Sequence, residues 1–209
     1  MIKINVEQGS EAWFEHRLGR FTASKFSKLM SGMGTMGFKE LISEIAAEIA
    51  SGEIEESYTN ADMERGIELE PFARKEYEDI FHCNVDEVGF CIPDETDPLH
   101  LWVGVSPDGM VENGGGIIEI KCPKKKTHWG YIRAGKLPNE YKWQVQGQLF
   151  VTGAGYCDFI SYHPSLKPFI IRVRPNLDMH DELKTRIIEA IKLVKDELKF
   201  YAKYDCLEI

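Results

Sequence analysis

Asp108, Glu119 and Lys121 are the side chains of this sequence whose types and spacing could do chemistry together. Asp108 ends an apolar run (Leu101, Trp102, Val103, Val105) at a Pro-Asp-Gly turn signal. Asn113-Gly114-Gly115-Gly116 then reverses the chain, and Ile117-Ile118-Glu119-Ile120-Lys121 reads as the returning strand of a hairpin. Side chains alternate faces along a strand, so Glu119 and Lys121 project the same way, and the hairpin brings Asp108 near them. Two converging carboxylates make a hard, oxygen-rich pocket suited to Mg²⁺ or Mn²⁺. An ammonium beside them could hold or activate a water, or offset charge on a phosphate oxygen. These are the parts of metal-dependent phosphodiester hydrolysis. An ordinary surface hairpin can carry the same residues, because Glu-x-Lys alone is common. The alternation argues for a site: Ile118, Ile120 and Cys122 give one apolar strand face, and the other is charged.

The elements that must position these groups follow from periodicity. Ser10 to Leu18 reads as a short helix with Trp13 inward, and Thr22 to Met30 as a second, with Thr22 at its N-cap. With Arg17 and Ser24 close by, that helix start would suit a phosphate; simple capping explains the same residues. Ser31 to Gly37 is glycine-rich but lacks GxxxxGK[ST], so it reads as a connector. Phe38 to Ala50 is helical, and Gly52 to Ser57 is an acidic linker. Thr59-Asn-Ala-Asp62 resembles a capping box before a long helix reaching about Phe81, buried through Leu69, Phe72, Ala73 and Tyr77. Glu70 lies inside it beside Pro71, which should kink the chain or start a new helix there.

Asn84 to Ile92 and Leu101 to Val105 are strand candidates leading into the hairpin. Thr127 to Ala134 and Glu140 to Val151 read as helices, the second closed by Gly153. On the second, Tyr141, Gln144 and Gln148 form one polar stripe opposite Trp143, Leu149 and Phe150. Its amides could hydrogen-bond a DNA backbone or a water, or stand exposed. Tyr156 to Tyr162 and Pro168 to Val173 look like strands, and Asp178 caps a last amphipathic helix. Helices alternating around a group of strands indicate α/β or α+β with a mixed sheet.

With 209 residues, one domain spanning 1–209 is the simplest count. No apolar run approaches the roughly 18 residues a membrane span needs, and the N-terminus reads as no signal peptide, so the expectation is cytoplasmic, with no membrane. Five widely spaced cysteines without a CxxC argue against disulfides and zinc. His82, His100 and His163 sit at element ends and read as structural. A net charge of −9 is awkward for binding nucleic acid. Acid, however, is concentrated between Glu44 and Asp79, whereas Lys121, Lys124, Lys125 and Lys126 crowd after the site, and Arg17, Arg20, Lys25 and Lys28 form a second basic group.

Taken together, the chain resembles the PD-(D/E)xK nuclease superfamily and, within it, the phage lambda exonuclease and YqaJ-type viral recombinase family. The resemblance runs from roughly Glu7 to Ala202 and rests on five blocks in order. They are Trp13…Arg17-Leu18-Gly19…Thr22-Ala23-Ser24, Gly66…Glu70…Ala73-Arg74, Ser106-Pro107-Asp108-Gly109, Glu119-Ile120-Lys121-Cys122-Pro123 and Gln144-Val145-Gln146. It implies a restriction-endonuclease-like core, a central mixed β-sheet flanked by helices. It also implies 5′→3′ digestion of one strand of linear duplex DNA to 5′-mononucleotides, leaving a 3′ single strand for recombination by strand annealing.

Carried across by position, Asp108 and Glu119 would ligate Mg²⁺ (two ions, with Mn²⁺ able to substitute), helped by the Ile120 carbonyl, with Glu70 assisting and Lys121 positioning or activating the attacking water. Arg17, Ser24 and Ser106 match residues holding the terminal 5′-phosphate, with Gln144 beside them; Tyr141, Lys124 and Lys125 would contact DNA, and Met63 aligns with a strand-separating wedge. The family pattern also implies a ring-shaped homotrimer and a single-strand annealing protein as partner. Pro71 and the basic run Lys124 to Lys126 depart from the pattern. A restriction-like endonuclease and a catalytically silent DNA-binding module on the same fold remain alternatives. Iron–sulfur nucleases need a four-cysteine cluster that this spacing does not offer.

Overall fold

The computed structural model describes residues 1–54, 61–112 and 115–204. The Thr59 capping box, the acidic linker beyond position 54, the Asn113-Gly114 part of the turn and Cys206 lie outside the described residues. In chain order the elements are β1 (Ile2–Ile4), α1 (Glu11–Arg17), β2 (Phe21–Thr22), α2 (Phe26–Leu29), α3 (Met36–Ser51), α4 (Ala61–Phe81), β3 (Val85–Asp86), β4 (Phe90–Ile92) and β5 (Val103–Gly104). There follow β6 (Gly109–Val111), β7 (Gly116–Lys121), α5 (Lys125–Ala134), α6 (Lys142–Thr152), β8 (Tyr156–Ser161), β9 (Phe169–Val173) and α7 (Leu177–Tyr201).

The central sheet has the order β3-β6-β7-β8-β9. Among the described strands of this sheet only β7 and β8 run parallel, Gly116 pairing with Tyr156 through to Lys121 with Ser161, and α5 and α6 form the crossover between them. A parallel pair needs cover on both faces, which explains the unbroken run Ile117-Ile118-Glu119-Ile120. Ile118 and Ile120 pack with Ala73 and Tyr77 of α4. Ile117 packs with Val145 and Leu149 of α6. Glu119, on the Ile117 side, is only 1% exposed. The strand face read as charged is therefore also a buried face, closed by α6. A larger core joins α2, α3 and α7 through Phe26, Phe38, Leu41, Ile45, Leu183 and Ile187.

Several sequence expectations change. Thr22 opens a 3-10 turn (Ala23–Lys25) running into the four-residue α2, and its side chain makes no capping bond. No helix of useful length starts there to hold a phosphate. α4 continues through Pro71 without a new start, because Ala73 and Tyr77 anchor its second half on the sheet. Phe72 is exposed rather than part of the buried side. The segment from Asn84 to Ile92 is not one strand: β3 edges the central sheet, while β4 pairs with β1. Asn176 caps α7, its Oδ1 accepting from Met179 N–H, so Asp178 lies in the first turn. α3 begins at Met36, capped by Thr35, and absorbs the end of the glycine-rich loop.

α4 is tied to the sheet by a buried network. Tyr77 donates its hydroxyl to Asp158 Oδ2 at 2.7 Å, and Arg172 donates to both Asp158 oxygens at 2.9 and 2.7 Å. Asp158 is 1% exposed, so its charge requires that paired guanidinium. At the start of the site segment, β5 lies against β4 so closely that a methyl group on Gly104 would fall within the Phe90 ring. Gly104→Ala should therefore cost about 1–3 kcal/mol, read as a lower urea midpoint with an unchanged m-value.

Candidate active site

The β6–β7 hairpin carries the expected cluster. Asp108 precedes β6; its backbone N–H donates to the Ile118 carbonyl at 3.1 Å, and its Oδ2 accepts from Ile120 N–H at 2.5 Å. That second bond places the carboxylate against the backbone next to Glu119. Lys121 ion-pairs with Glu119 Oε1. The acids of positions 108 and 119 thus lie on one end of one hairpin, close enough for the charge of Glu119 to raise the cost of ionising Asp108. Burial pushes Asp108 well above the usual carboxylate range, with the charges of Glu119 and Glu70 adding to it and Lys121 opposing. Glu70 is also raised, by burial first, against the pull of Arg74 and Lys121. Burial alone would lower the Lys121 ammonium, but the Glu119 and Asp108 carboxylates outweigh it and hold it above the ordinary lysine value. It is a fixed cation.

The polar stripe of α6 meets this cluster on the face of the sheet that carries Glu119. Gln144 Nε2 donates to Glu119 Oε1 and Gln148 Nε2 to Oε2, each at 2.6 Å. Gln144 therefore bonds Glu119, and the stripe is not exposed. Gln148 is fully buried, and its Oε1 has no hydrogen-bond partner among the described residues. Turning the amide over would aim that oxygen at a carboxylate, so an orphaned acceptor is the cost of holding Glu119. Gln148→Ala leaves Glu119 Oε2 without its donor and should cost about 1–3 kcal/mol. In a Glu119→Ala background the same change should cost measurably less, a coupling that a double-mutant cycle on urea midpoints reads directly.

A cavity of about 570 Å³ opens over the hairpin end. Glu70, Asp108, Ile120, Lys121, Tyr141, Lys124 and Met63 all line it. Met63, on α4, is exposed at its edge. Lys121 Nζ lies 5.5 Å from the centre of the Tyr141 ring, and Lys124 pairs with Asp62 at 2.7 Å. Lys125 is exposed at the start of α5. Two arginines given no role in the sequence reading, Arg74 of the second quoted block and Arg65, brace the site. Arg74 binds Glu70 at 2.7 Å, pairs with Glu87, and donates to the Asp108 carbonyl at 3.2 Å. Arg65 donates to the Cys122 carbonyl at 2.8 Å. The i,i+4 spacing of Glu70 and Arg74 was the available signal for the first.

Arg17, Ser24 and Ser106 come together in a second group. Trp13 Nε1 donates to Ser106 Oγ at 2.9 Å, and the Arg17 guanidinium lies 4.0 Å from the centre of the Trp13 ring. Arg17 also donates to Thr22 Oγ1 at 3.4 Å, and that hydroxyl is 3.3 Å from Ser24 Oγ. Glu48, the nearest acid to act on Arg17, is committed elsewhere: it accepts from Gly19 N–H and Lys25 Nζ, each at 2.9 Å. Burial pushes Arg17 down to about 10, with Glu48 opposing. Among the described residues Arg17 makes no salt bridge.

The donor set near Asp108 is carboxylate and carbonyl oxygen, the chemistry that Mg²⁺ and Mn²⁺ prefer. A cation there would offset the burial that raises Asp108 and Glu70, and the charge of Glu119 that adds to both. Among the described residues no three His, Cys, Asp or Glu side chains already form a metal cage. Glu70 faces Arg74, and Glu119 faces its two amides and Lys121. The set fits such an ion chemically, with Asp108 the carboxylate that has only a backbone donor.

A mixed sheet with a parallel pair at β7–β8, flanked by helices and with an Asp, a Glu and a Lys gathered at one hairpin end, is the architecture of the PD-(D/E)xK nuclease class. A family model described as the YqaJ-like viral recombinase domain matches residues 12–155. An alkaline exonuclease from Laribacter hongkongensis, LHK-Exo, is 33% identical with a TM-score of 0.83, over 93% of this chain and 97% of that one. LHK-Exo in complex with dAMP gives 34% identity and a TM-score of 0.83, over 92% and 96%. A phage-related exonuclease from Haemophilus somnus 129PT shares the fold at 16% identity and a TM-score of 0.68, over 87% and 96%. No curated protein matches the chain. The chain belongs to the YqaJ-like viral recombinase family, and the solved structures it resembles at 33% and 34% identity are of an alkaline exonuclease. No helix among the described residues is long and apolar enough to cross a membrane.

Proposed function

We propose that the protein is a Mg²⁺-dependent exodeoxyribonuclease that digests one strand of linear duplex DNA from its 5′ end and releases 5′-mononucleotides. The observation that carries this reading is the meeting of Asp108, Glu119 and Lys121 at the end of the β6–β7 hairpin, with Asp108 and Lys121 on the cavity wall. The complex of LHK-Exo with dAMP, a deoxynucleoside monophosphate, supports it by likeness.

Asp108, Glu119 and the Ile120 carbonyl would hold the divalent ions, with Glu70 assisting. Once bound, these ions supply Lewis acidity toward the scissile phosphate and acidify a water. The chain's own groups do the rest. Lys121, held cationic by two acids, donates to the attacking water or to a phosphate oxygen and fixes its position. Gln144 and Gln148 keep Glu119 oriented without neutralising it. Tyr141 and Lys124 line the approach of the DNA, and Met63 stands at the cavity edge, where an apolar wedge could part the strands. Arg17, Ser24 and Ser106 would take the terminal 5′-phosphate. The finer expectations, a homotrimeric ring and a single-strand annealing partner, rest on the family resemblance and are read by light scattering of the pure protein and by co-purification.

The decisive experiment is product analysis on end-labelled linear duplex with Mg²⁺. The reading requires 5′-mononucleotides and loss of label from the 5′ end first. Cleavage of closed circular DNA would replace it with an endonuclease, and binding without nucleotide release would leave only a silent DNA-binding module.

A further inference from the structure

The stretch from Lys121 to Pro138 holds six lysines and arginines and no acid, in a chain of net charge −9. Most of it is α5. The inner face of that helix is pinned: His128 is fully buried, with Nδ1 2.7 Å from Ser161 Oγ and Nε2 3.0 Å from the Lys167 carbonyl. Tyr131 packs on Tyr141 and Phe159 from the same helix. What faces outward is therefore fixed too. At 100° per residue, Lys125, Trp129 and Arg133 follow one another along a single stripe, about 6 Å apart, and Lys126 lies beside it. Those four residues are exposed, Trp129 at 53%.

One exposed indole is ordinary on a protein surface, and it is the company Trp129 keeps that points to a ligand. Among the described residues Lys125, Lys126 and Arg133 make no salt bridge, whereas Lys124, one residue earlier, is paired with Asp62. The helix also starts at the cavity: Lys124, the residue before Lys125, and Thr127 line it together with Asp108 and Lys121, and the stripe lies on the neighbouring face. An aromatic plane flanked by unpaired cations is the surface that single-stranded nucleic acid uses, its bases stacking and its phosphates meeting the charges. A duplex offers no open base face to a tryptophan on a helix surface.

We propose that the outer face of α5 is a binding surface for single-stranded DNA, with a base stacked on Trp129 and the backbone running along Lys125, Lys126 and Arg133. It rests on the nuclease reading above and extends it: Lys124 on the cavity wall is the residue before Lys125, so a strand passing that wall has the stripe within reach.

The test uses the full chain and a fluorescein-labelled oligodeoxythymidylate, with EDTA present so that the probe survives. Anisotropy titrations at several salt concentrations compare the wild type with Trp129→Ala, Trp129→Phe and Arg133→Ala. Trp129→Ala should weaken binding about 5- to 150-fold, the worth of one stacked base. Trp129→Phe should recover most of the loss. Arg133→Ala should flatten the salt dependence by about 0.7 in the log–log slope, the share of one phosphate on a single strand. Light scattering and digestion of end-labelled duplex with Mg²⁺ are run on the same samples. Unchanged oligonucleotide affinity in Trp129→Ala, beside an active wild type, overturns the proposal and leaves the nuclease reading standing. A Trp129-dependent affinity in a wild type that releases no nucleotide does the reverse. A change of assembly mass in Trp129→Ala, without a change in oligonucleotide affinity, overturns it in favour of a contact between copies of the chain.

Discussion

Asp108→Asn should lose nucleotide release from linear duplex DNA by roughly a thousandfold or more, while folding at least as firmly as the wild type. Asparagine has the shape of aspartate, and its Oδ1 can still accept from Ile120 N–H, so the hairpin end keeps its backbone clamp. What disappears is a charge that the fold holds at a cost. Asp108 is raised well above the ordinary carboxylate range by burial and by the neighbouring Glu119 and Glu70. An acid raised on folding contributes stability below its unfolded value and loses it as pH climbs through the folded one. The asparagine variant has no such loss. Without divalent ions its urea midpoint should therefore exceed that of the wild type at about pH 8, and the gap should close toward about pH 4. The same charge is the reason to expect an ion. Mg²⁺ at about a hundred times its dissociation constant should stabilise the wild type by about 2.7 kcal/mol and the variant by little. Excess EDTA should stop product formation. An active Asp108→Asn enzyme, or activity that survives chelation, removes the metal-site assignment.

What could be read from sequence was what is local. The hairpin returns its charged groups to one end because turn signals and period-two alternation lie within a few residues of each other. The α6 stripe was visible for the same reason, since Tyr141, Gln144 and Gln148 share a face by spacing alone. Its target was not, because the distance to Glu119 is set by the β7–α5–α6–β8 crossover. Reading Ile118 and Ile120 against Glu119 and Lys121 as an apolar and a charged face left out that a parallel pair is covered on both sides. A buried Glu119 then needs the two amides, and Gln148 gives up its own oxygen to supply one of them.

Contacts spanning long separations were the least legible. Tyr77 and Asp158 are 81 positions apart, and nothing in either neighbourhood announces the bond that seats α4 beneath Glu70. Strand identity failed in the same way from Asn84 to Ile92, where a single extended segment serves two sheets. Pro71 carried a real local rule, the loss of one helical donor, which tertiary packing of Ala73 and Tyr77 overrides.

Arg17→Met should cut the preference for 5′-phosphorylated over 5′-hydroxyl ends by about 10- to 150-fold, with a far smaller loss on hydroxyl ends. The argument begins from what Arg17 lacks. Its guanidinium rests on the Trp13 ring and reaches only a 3.4 Å contact with Thr22 Oγ1. The acid that could neutralise it, Glu48, spends both oxygens on Gly19 and Lys25. Burial pulls Arg17 down to about 10, which still leaves it charged at neutral pH. A half-buried cation left without a carboxylate is stabilised by an arriving anion more than an exposed one would be. Ser24 and Ser106, joined to it through Thr22 and Trp13, offer hydroxyl donors on the same patch. Methionine keeps the apolar stem on the indole, so packing survives and only charge and donors go. A structural role for Arg17 would lower activity on both kinds of end alike. The ratio between them separates the two accounts, and equal losses would mean that the terminal phosphate is held elsewhere.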